Sequence, residues 1–572
     1  MKAEPFVRSA LLALALSLTA CGGSTTFSAS SGGPPPPLPP PPPPPPPLPQ
    51  VDPEYRASAT VSPFGTSCDG QTVNGTVFIG AEVEPHLAVD PRDPNRMIGV
   101  WQQDRWSNGS ARGIVAGVSR DGGVSWERQP LRVSRCGGGN ATNGGDYARV
   151  TDPWVTISPN GVAYAMALST TGASFSPGSV NAMLVVRSAD GGNVWSTPTT
   201  LIQDGAGFFN DKNTITADPV DSDFVYAVWD RLLANDAGGP TYFSRTTNGG
   251  FSWEPARAIY DPGTNSQTIG NLIVVTPDGT LVNVFTQLDG TGANQNASVA
   301  VIRSTNRGLN WSAPVRVADQ LAIGARDPDT GTLIRDGSLL PQAAVDPRNG
   351  DIYVVWQDAR FSAGAVDAIA LSRSTDDGLT WSAPVRVNNT VTTTQAFTPS
   401  VHVLANGTLG VTYYDLRANT TDTNVLQTEY WLARSIDGGV NWVETRVANV
   451  FDLDTAPNAG GYFLGDYQAL RSRGNVFVPF YVKTSSGDTN NRTDVFAAPA
   501  VSATGPAPAA TVVGAASAGT IAAQALAPEP MVTPAWRQRI AANAAMRRQD
   551  GMVREAPRLR VADLLFQRPP KQ

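Results

Sequence analysis

Six short segments of this chain repeat one pattern, S/T-x-D/N-x-G-x-x-W, and no other feature restricts its fold as strongly. They run from Ser119 to Trp126, Ser188 to Trp195, Thr246 to Trp253, Ser304 to Trp311, Ser374 to Trp381 and Ser435 to Trp442, with the tryptophans 69, 58, 58, 70 and 61 residues apart. Each position has a task in a tight turn. The hydroxyl and the Asp/Asn side chain can bond local backbone amides, and glycine supplies a positive φ. The tryptophan can fold back as an apolar plug between neighbouring sheets. A recurrence of this length marks a repeat architecture rather than several unrelated domains, although 572 residues would allow three or four ordinary ones.

The same strand grammar surrounds each turn: a short apolar strand, a Pro/Asn/Asp/Gly turn, a second strand ending in an aromatic, a variable loop, a third strand, the repeated turn and a fourth strand. The first two strands recur seven times, as Leu87–Asp90 with Met97–Trp101, Val155–Ile157 with Val162–Tyr164, Ile215–Ala217 with Val225–Trp229, Leu272–Val274 with Leu281–Phe285, Ala343–Val345 with Ile352–Trp356, Val401–Val403 with Leu409–Tyr413, and Gln468–Leu470 with Val476–Phe480. Near-continuous apolar second strands predict burial on both faces, as in stacked sheets. The fold class is all-β, a β-propeller of four-stranded blades.

The repeated turn resembles the Asp box of the sialidase (neuraminidase) and BNR-repeat family, with copies over residues 119–442. In that family such boxes lie on turns remote from the ligand face, so the resemblance implies a structural role for them. It also implies a six-bladed ring, matching six boxes. Seven strand pairs between Glu84 and about residue 500 instead divide 417 residues into units of about 60, which matches the tryptophan spacing. Seven blades are preferred and six are the alternative. In the seven-bladed reading the last unit lacks its box and is completed by an N-terminal strand near Tyr55–Val61.

Ahead of the repeats, Lys2 and Arg8 precede a short apolar stretch, Ser9 to Leu18, with the layout of a secretory signal. It ends in Leu18-Thr19-Ala20-Cys21-Gly22, which resembles the bacterial lipoprotein lipobox and implies lipidation at Cys21. Residues 34–49 contain 14 prolines, enough for a semi-rigid polyproline spacer of about 50 Å. The domain reading is a signal peptide with lipobox over 1–21, a Gly/Ser- and Pro-rich linker over 22–54, the propeller over 55–500, and an Ala/Pro-rich linker with a basic tail over 501–572. With Cys21 lipidated, Cys68 and Cys136 remain as an even pair in an oxidising compartment, and a 68–136 disulfide is expected. The expected location is the bacterial cell envelope, and Gly22 after the cysteine resembles outer-membrane sorting.

A second recurrence closes four of the second strands: Gln103-Asp104-Arg105, Trp229-Asp230-Arg231, Gln357-Asp358-Ala359-Arg360 and Tyr414-Asp415-Leu416-Arg417. In a propeller these loops open opposite the repeated turns, beside the inter-blade connections that carry Glu84, Asp152, Asp211, Lys212, Asp466 and Tyr467. Arginine suits bidentate recognition of a carboxylate, and an aspartate in a suitable environment can act as a general acid. The alternative is that each Asp and Arg bond each other and the strand ends as a repeated structural device. The family resemblance implies an Arg triad gripping the carboxylate of a terminal anionic sugar, a tyrosine nucleophile assisted by glutamate, and an aspartate acid/base. Carried over residue by residue, it implies Asp104 or Asp358 as acid and Tyr467 as nucleophile. Arg105, Arg360 and Arg417, with Arg231 and Asp415, would bind substrate. Where the family has Arg-Ile-Pro at the first strand, this chain reads Val83-Glu84-Pro85, so a glutamate stands in place of the first triad arginine.

Other chemistries are harder to assemble. His86 and His402 are the only histidines, too few for a histidine-rich zinc site. No cofactor or metal is expected beyond a structural calcium at Asp-Pro turns such as Asp90-Pro91. Residues 51–500 carry 31 Lys+Arg against 44 Asp+Glu, whereas residues 501–572 carry 9 against 4. The acidic body disfavours nucleic acid as a partner. No apolar run approaches the ~18–20 residues that span a bilayer, so membrane attachment would rest on the lipid alone. The Arg-rich tail is read as holding a short helix over 535–549, either docked on the acidic propeller, against anionic lipid, or solvated. Two functions follow: a monomeric, lipid-anchored sialidase-like glycoside hydrolase acting on glycans, or a non-catalytic propeller binding a glycan or protein.

Overall fold

The computed structural model describes residues 53–70, 73–234, 238–291, 295–499, 530–548 and 551–554. The signal stretch, Cys21, the polyproline spacer and the 501–529 linker lie outside the described residues. The chain is a β-propeller of four-stranded antiparallel sheets, and its strands pair into seven sets. Set one comprises Val77–Asp90, Asp93–Trp106, Ala111–Ser119 and Glu127–Pro130. Set two comprises Arg149–Ile157, Ala163–Thr171, Val180–Ser188 and Thr199–Asp204. Set three is Phe208–Ala217, Phe224–Leu233, Thr241–Thr247 and Arg257–Tyr260, and set four is Ser266–Val275, Leu281–Asp289, Asn296–Ser304 and Val315–Asp319. Set five is Gln342–Val345, Ile352–Asp358, Ala368–Ser374 and Val385–Arg386, and set six is Ala396–Val403, Leu409–Asp415, Gln427–Ser435 and Val443–Arg446. Set seven takes Ala469–Arg473, Val476–Thr484 and Thr493–Ala497 from one end of the propeller and Tyr55–Arg56 from the other. Tyr55 pairs with Ala497 and Arg56 with Phe496, which joins the chain ends and covers an otherwise open sheet edge.

The second strands are buried on both faces, with Trp101, Trp229 and Trp356 at most 1% exposed. Their continuous apolar runs are what such a position requires. The repeated turns do the packing that their composition predicts. In the first, Ser119 Oγ donates to Asp121 Oδ1 at 2.8 Å, Asp121 Oδ1 accepts from the amides of Val124 and Ser125 at 3.1 and 2.9 Å, and Trp126 Nε1 donates to the Gly123 carbonyl at 3.0 Å. The Ser188, Ser374 and Ser435 copies repeat the hydroxyl-to-aspartate bond. Cys68 and Cys136 form a disulfide with Cα atoms 4.9 Å apart.

The first strand of five sets is interrupted at the same place. Register shifts fall between Val83 and His86, Thr151 and Trp154, Asp211 and Thr214, Ile269 and Leu272, and Phe397 and Ser400. Each shift contains a residue of positive φ: Glu84 at 53°, Asp152 at 53°, Lys212 at 46°, Gly270 at 72° and Thr398 at 50°. Only Gly270 adopts this region freely, and the other four cost on the order of 1–2 kcal/mol each. The bulges re-aim side chains out of the strand alternation.

The tail folds as a helix, Pro534–Arg547, begun by Thr533, whose side chain accepts from the Trp536 amide, and by a proline in the first turn. It docks on the propeller. Trp536, Ile540, Ala544 and Arg547 form one buried stripe at helical spacing. The fit is close: a Cβ on Gly364 would sit 2.5 Å from the Trp536 ring. Beyond the helix, Val553 donates to Ser174 Oγ at 3.0 Å and Arg554 to the Asn108 carbonyl at 2.9 Å. The segment thus reaches from the fourth and fifth sets to the first and second.

Candidate functional site

Three of the five bulged residues, Glu84, Asp152 and Lys212, meet at the axis. Lys212 Nζ lies 2.6 Å from Asp466 Oδ2, 3.5 Å from Asp152 Oδ1 and 3.9 Å from Glu84 Oε1. Asp466 also receives a bidentate pair from Arg335, at 3.0 and 2.7 Å. Arg335 comes from a short strand, Ile334–Arg335, that pairs in parallel with Tyr462–Phe463 and so carries its guanidinium to the entry of set seven. Arg105 completes the group: Nη1 donates to Gln102 Oε1 at 2.8 Å, and the guanidinium lies 4.8 Å over the Phe463 ring, which Arg335 faces at 4.2 Å. Gln102 in turn donates to Glu84 and, at 2.7 Å, to Thr151. Three cations and three carboxylates are thereby packed in a site where each is at most 5% exposed.

The electrostatics divide the carboxyl groups. Burial, reinforced by Asp152, pushes Glu84 up to about 8 against the pull of Lys212. Burial pushes Asp211 up to about 8 as well. Burial would raise Asp466 too, but Arg335 and Lys212 overcome it and hold that carboxyl well below the usual range. Burial works to lower the Lys212 ammonium, and Asp152, Asp466 and Glu84 more than reverse it. A neutral carboxyl beside a firmly ionised one is the arrangement in which acid and base roles can be assigned. Arg105 Nε and Nη2 have no hydrogen-bond partner among the described residues, and burial lowers its guanidinium to about 10. Tyr467 stands against this cluster, with its ring 5.1 Å from Trp154 and its hydroxyl donating to the Pro153 carbonyl at 2.9 Å.

The cluster is roofed by the tail. Arg547 pairs with Asp336 at 2.9 Å and donates to the Ile334 carbonyl at 2.7 Å, next to Arg335. Asn543 donates to Ser338 Oγ at 3.0 Å, and Gly551 packs against Asp211. Asp336, Asp466, Lys212 and Arg547 line one small cavity of about 10 Å³.

Of the residues given catalytic or substrate-binding roles from the sequence, Arg105 and Tyr467 reach this cluster and the others do not, whereas Glu84, Asp152, Asp211, Lys212 and Asp466 of the inter-blade connections meet in it. Asp358 and Arg360 close on each other: Arg360 donates through its amide at 2.9 Å and through Nε and Nη2 at 2.9 Å each. Asp415 and Arg417 do the same at 3.1 Å through the amide and 2.7 Å through Nε, while Arg417 also meets Glu444 at 2.9 Å and lies 3.8 Å over Trp431. Arg105, Arg360 and Arg417 therefore do not converge on one carboxylate. In the two adjacent pairs the partners separate: Asp230 and Arg231 face opposite sides of a regular strand, and Asp104 is turned out by its own positive φ of 63°. Asp104 accepts from Ser62 Oγ at 2.6 Å, the Gly80 amide at 3.0 Å and Arg112 at 3.3 Å, away from Arg105. Arg231 pairs with Asp204 at 2.8 and 2.7 Å over the Phe208 ring, whereas Asp230 accepts from the Gly270 amide at 3.1 Å.

The spacing decides these outcomes. Asp-x-Arg closes locally through an aspartate turn, and Asp90–Arg92 and Asp346–Arg348 on the turns of the opposite face show the same geometry, with amide bonds of 3.0 Å each. The Asp90 carboxylate considered for calcium is held by Arg92 and Arg96 at 3.0 and 3.4 Å. Among the described residues no group of three or more His, Cys, Asp or Glu side chains is placed to hold a metal. Arg335, Asp336, Phe463 and Arg547 were not singled out from the sequence. Arg335-Asp336 is itself an Asp/Arg pair just ahead of set five, the one local signal that could have marked it.

No protein-family model matches this chain, and no curated protein matches it. Solved structures similar to it include a Dyadobacter fermentans protein of unknown function at 12% identity and TM-score 0.40, covering 75% of this chain and 95% of that one. A Penicillium chrysogenum alpha-L-arabinanase complexed with arabinobiose matches at 12% identity and TM-score 0.41, covering 78% and 98%. The NanB sialidase of Streptococcus pneumoniae matches at 10% identity and TM-score 0.39, covering 78% and 98%. At such scores the fold rests on the strand pairing of this chain itself.

Proposed function

We propose that this chain is an exported, lipid-anchored propeller acting on glycans, with a glycosidase-like site at the axial cluster that the C-terminal segment holds covered. The observation that carries this reading is the juxtaposition of Glu84, pushed up to about 8, with the ionised Asp466, the partly unpartnered Arg105 and Tyr467, with Arg547 of the docked helix sharing a small cavity with Asp466 and Lys212. Glu84 would serve as proton donor, Asp466 as the fixed anion, and Arg105 with Arg335 as the grip on an anionic substrate group. The strained backbone at Glu84, Asp152 and Lys212 supports it, since such strain concentrates at functional sites. Export is supported by the 68–136 disulfide, which persists in oxidising compartments.

The test is a full chain in which Trp536→Ala and Arg547→Ala release the cover, assayed on a panel of fluorogenic glycosides headed by a sialoside. Turnover that rises on release and disappears when Tyr467→Phe or Glu84→Gln is added supports the reading. A second reading, a non-catalytic binding propeller, is favoured by the Tyr467 hydroxyl being spent on the Pro153 carbonyl and by the closed Asp358–Arg360 and Asp415–Arg417 pairs. Absence of turnover in the released chain, together with retained glycan binding, selects it.

A further inference from the structure

The ring encloses a second site with different chemistry. A cavity of about 690 Å³ runs along the inner strands, walled by one stretch from each of the seven sets. Its size falls within the ~300–1,000 Å³ typical of small-molecule sites. Exposed Pro91, Pro219 and Ala405 stand at its mouth, on the face of the first-to-second-strand turns. Trp154 and Gln342 also line a smaller cavity beside Lys212 and Tyr467, so they form the floor that separates the two sites.

The walls between are aliphatic, with Val155, Ile215, Leu272 and Val401 among them. The two wall threonines are committed to the backbone: Thr156 accepts from the Ala217 amide at 3.1 Å, and Thr216 donates to the Ile273 carbonyl at 2.8 Å. One carboxylate, Asp90, lies on the wall, and Arg92 and Arg96 hold it.

Arg471 is the exception to this apolar lining. Its Nη1 donates to the Leu470 carbonyl at 2.8 Å and its Nη2 lies 2.7 Å from His86 Nε2, and no carboxylate pairs with it among the described residues. Both histidines of the chain flank it, His86 stacked on Trp154 with centroids 3.7 Å apart and His402 with Nε2 2.9 Å from Ser472 Oγ. Burial, aided by the Arg471 charge, holds His86 well below its ordinary value, and the same two causes bring His402 down to about 3. With the imidazoles neutral, the half-buried Arg471 guanidinium faces the channel without a carboxylate partner among the described residues, and charges drawn out of water are ordinarily paired.

We propose that this channel binds a linear alkyl monocarboxylate, with the carboxylate on Arg471 and the hydrocarbon along the aliphatic walls. A sugar is a poor match, because the Trp154 face is already covered by His86 and the wall hydroxyls are spent. The site is independent of the axial cluster, which lies beyond Trp154.

Decanoate titrated calorimetrically into the full chain is the probe. Saturable one-to-one binding is expected, with Arg471→Met weakening it at least about tenfold, the scale of a lost charge-assisted hydrogen bond. Ala405→Trp at the exposed mouth is expected to obstruct binding without touching the core, and neutral decanamide to bind no better than decanoate does to the Arg471→Met chain. Circular dichroism and melting temperature matching the parent show that each variant is folded, and Ala405→Trp keeps the test decisive if Arg471→Met is not. No binding to the parent chain, or equal affinity for the parent and Ala405→Trp chains, overturns the proposal.

Discussion

Replacing Glu84 with glutamine tests the electrostatics of the axial cluster. Glu84 is fully buried, and its folded-state carboxyl is pushed from 4.5 up to about 8. The folded state therefore holds the proton more tightly than the unfolded chain does. The contribution of this group is fully present below about pH 4.5 and is lost as pH rises through about 8. At ~1.4 kcal/mol per pH unit, the full loss across this shift is roughly 5 kcal/mol. Glutamine keeps an oxygen for the bond from Gln102 and carries no proton to lose. Asp211 and Asp367, pushed up to about 8 and about 7, titrate in the same window and give both proteins a shared slope, so the informative quantity is the difference between them. Denaturant unfolding of the parent and Glu84→Gln chains at pH 5, 6.5 and 8 should show the variant gaining steadily on the parent as pH rises. Parallel profiles would refute the buried, protonated Glu84.

Two further outcomes follow from the described contacts. Cys68→Ser with Cys136→Ser opens a loop spanning 68 residues, which should cost about 4 kcal/mol by the chain-entropy relation, read as a lower unfolding midpoint under oxidising conditions. Deleting residues 53–58 removes the strand Tyr55–Arg56 and leaves Asp494 without the 3.0 Å bond from Ser58 Oγ, so set seven should become the first region to exchange its amide hydrogens.

The architecture was legible because it repeats. Six copies of one turn and seven of one strand pair fixed the period, and Tyr55–Arg56 lies within the N-terminal stretch expected to complete the last unit. The site was legible only in part, for a reason visible in the residues. Asp358-Ala359-Arg360 and Asp415-Leu416-Arg417 look like substrate-binding pairs, but two-residue spacing lets the arginine fold back onto its own aspartate. Glu84, Asp152 and Lys212 stood out as inter-unit residues, yet nothing local announces the bulges that turn them toward one another. Arg335 and Asp466 meet across 131 residues through a parallel pairing of two-residue strands, too short to leave a periodic signal. Arg547 arrives from a tail whose basic composition was equally compatible with lipid or solvent.

The account turns on the tail being docked over the axial cluster, and hydrogen exchange of residues 534–547 in the full chain measures this directly. A helix of 14 residues is marginal alone in water and would exchange almost as an unfolded peptide. Docked through Trp536, Ile540 and Arg547, its amides should be protected by several orders of magnitude, and Trp536→Ala with Arg547→Ala should abolish that protection. Exchange of this segment at unfolded-peptide rates in the unaltered chain would contradict a covered site.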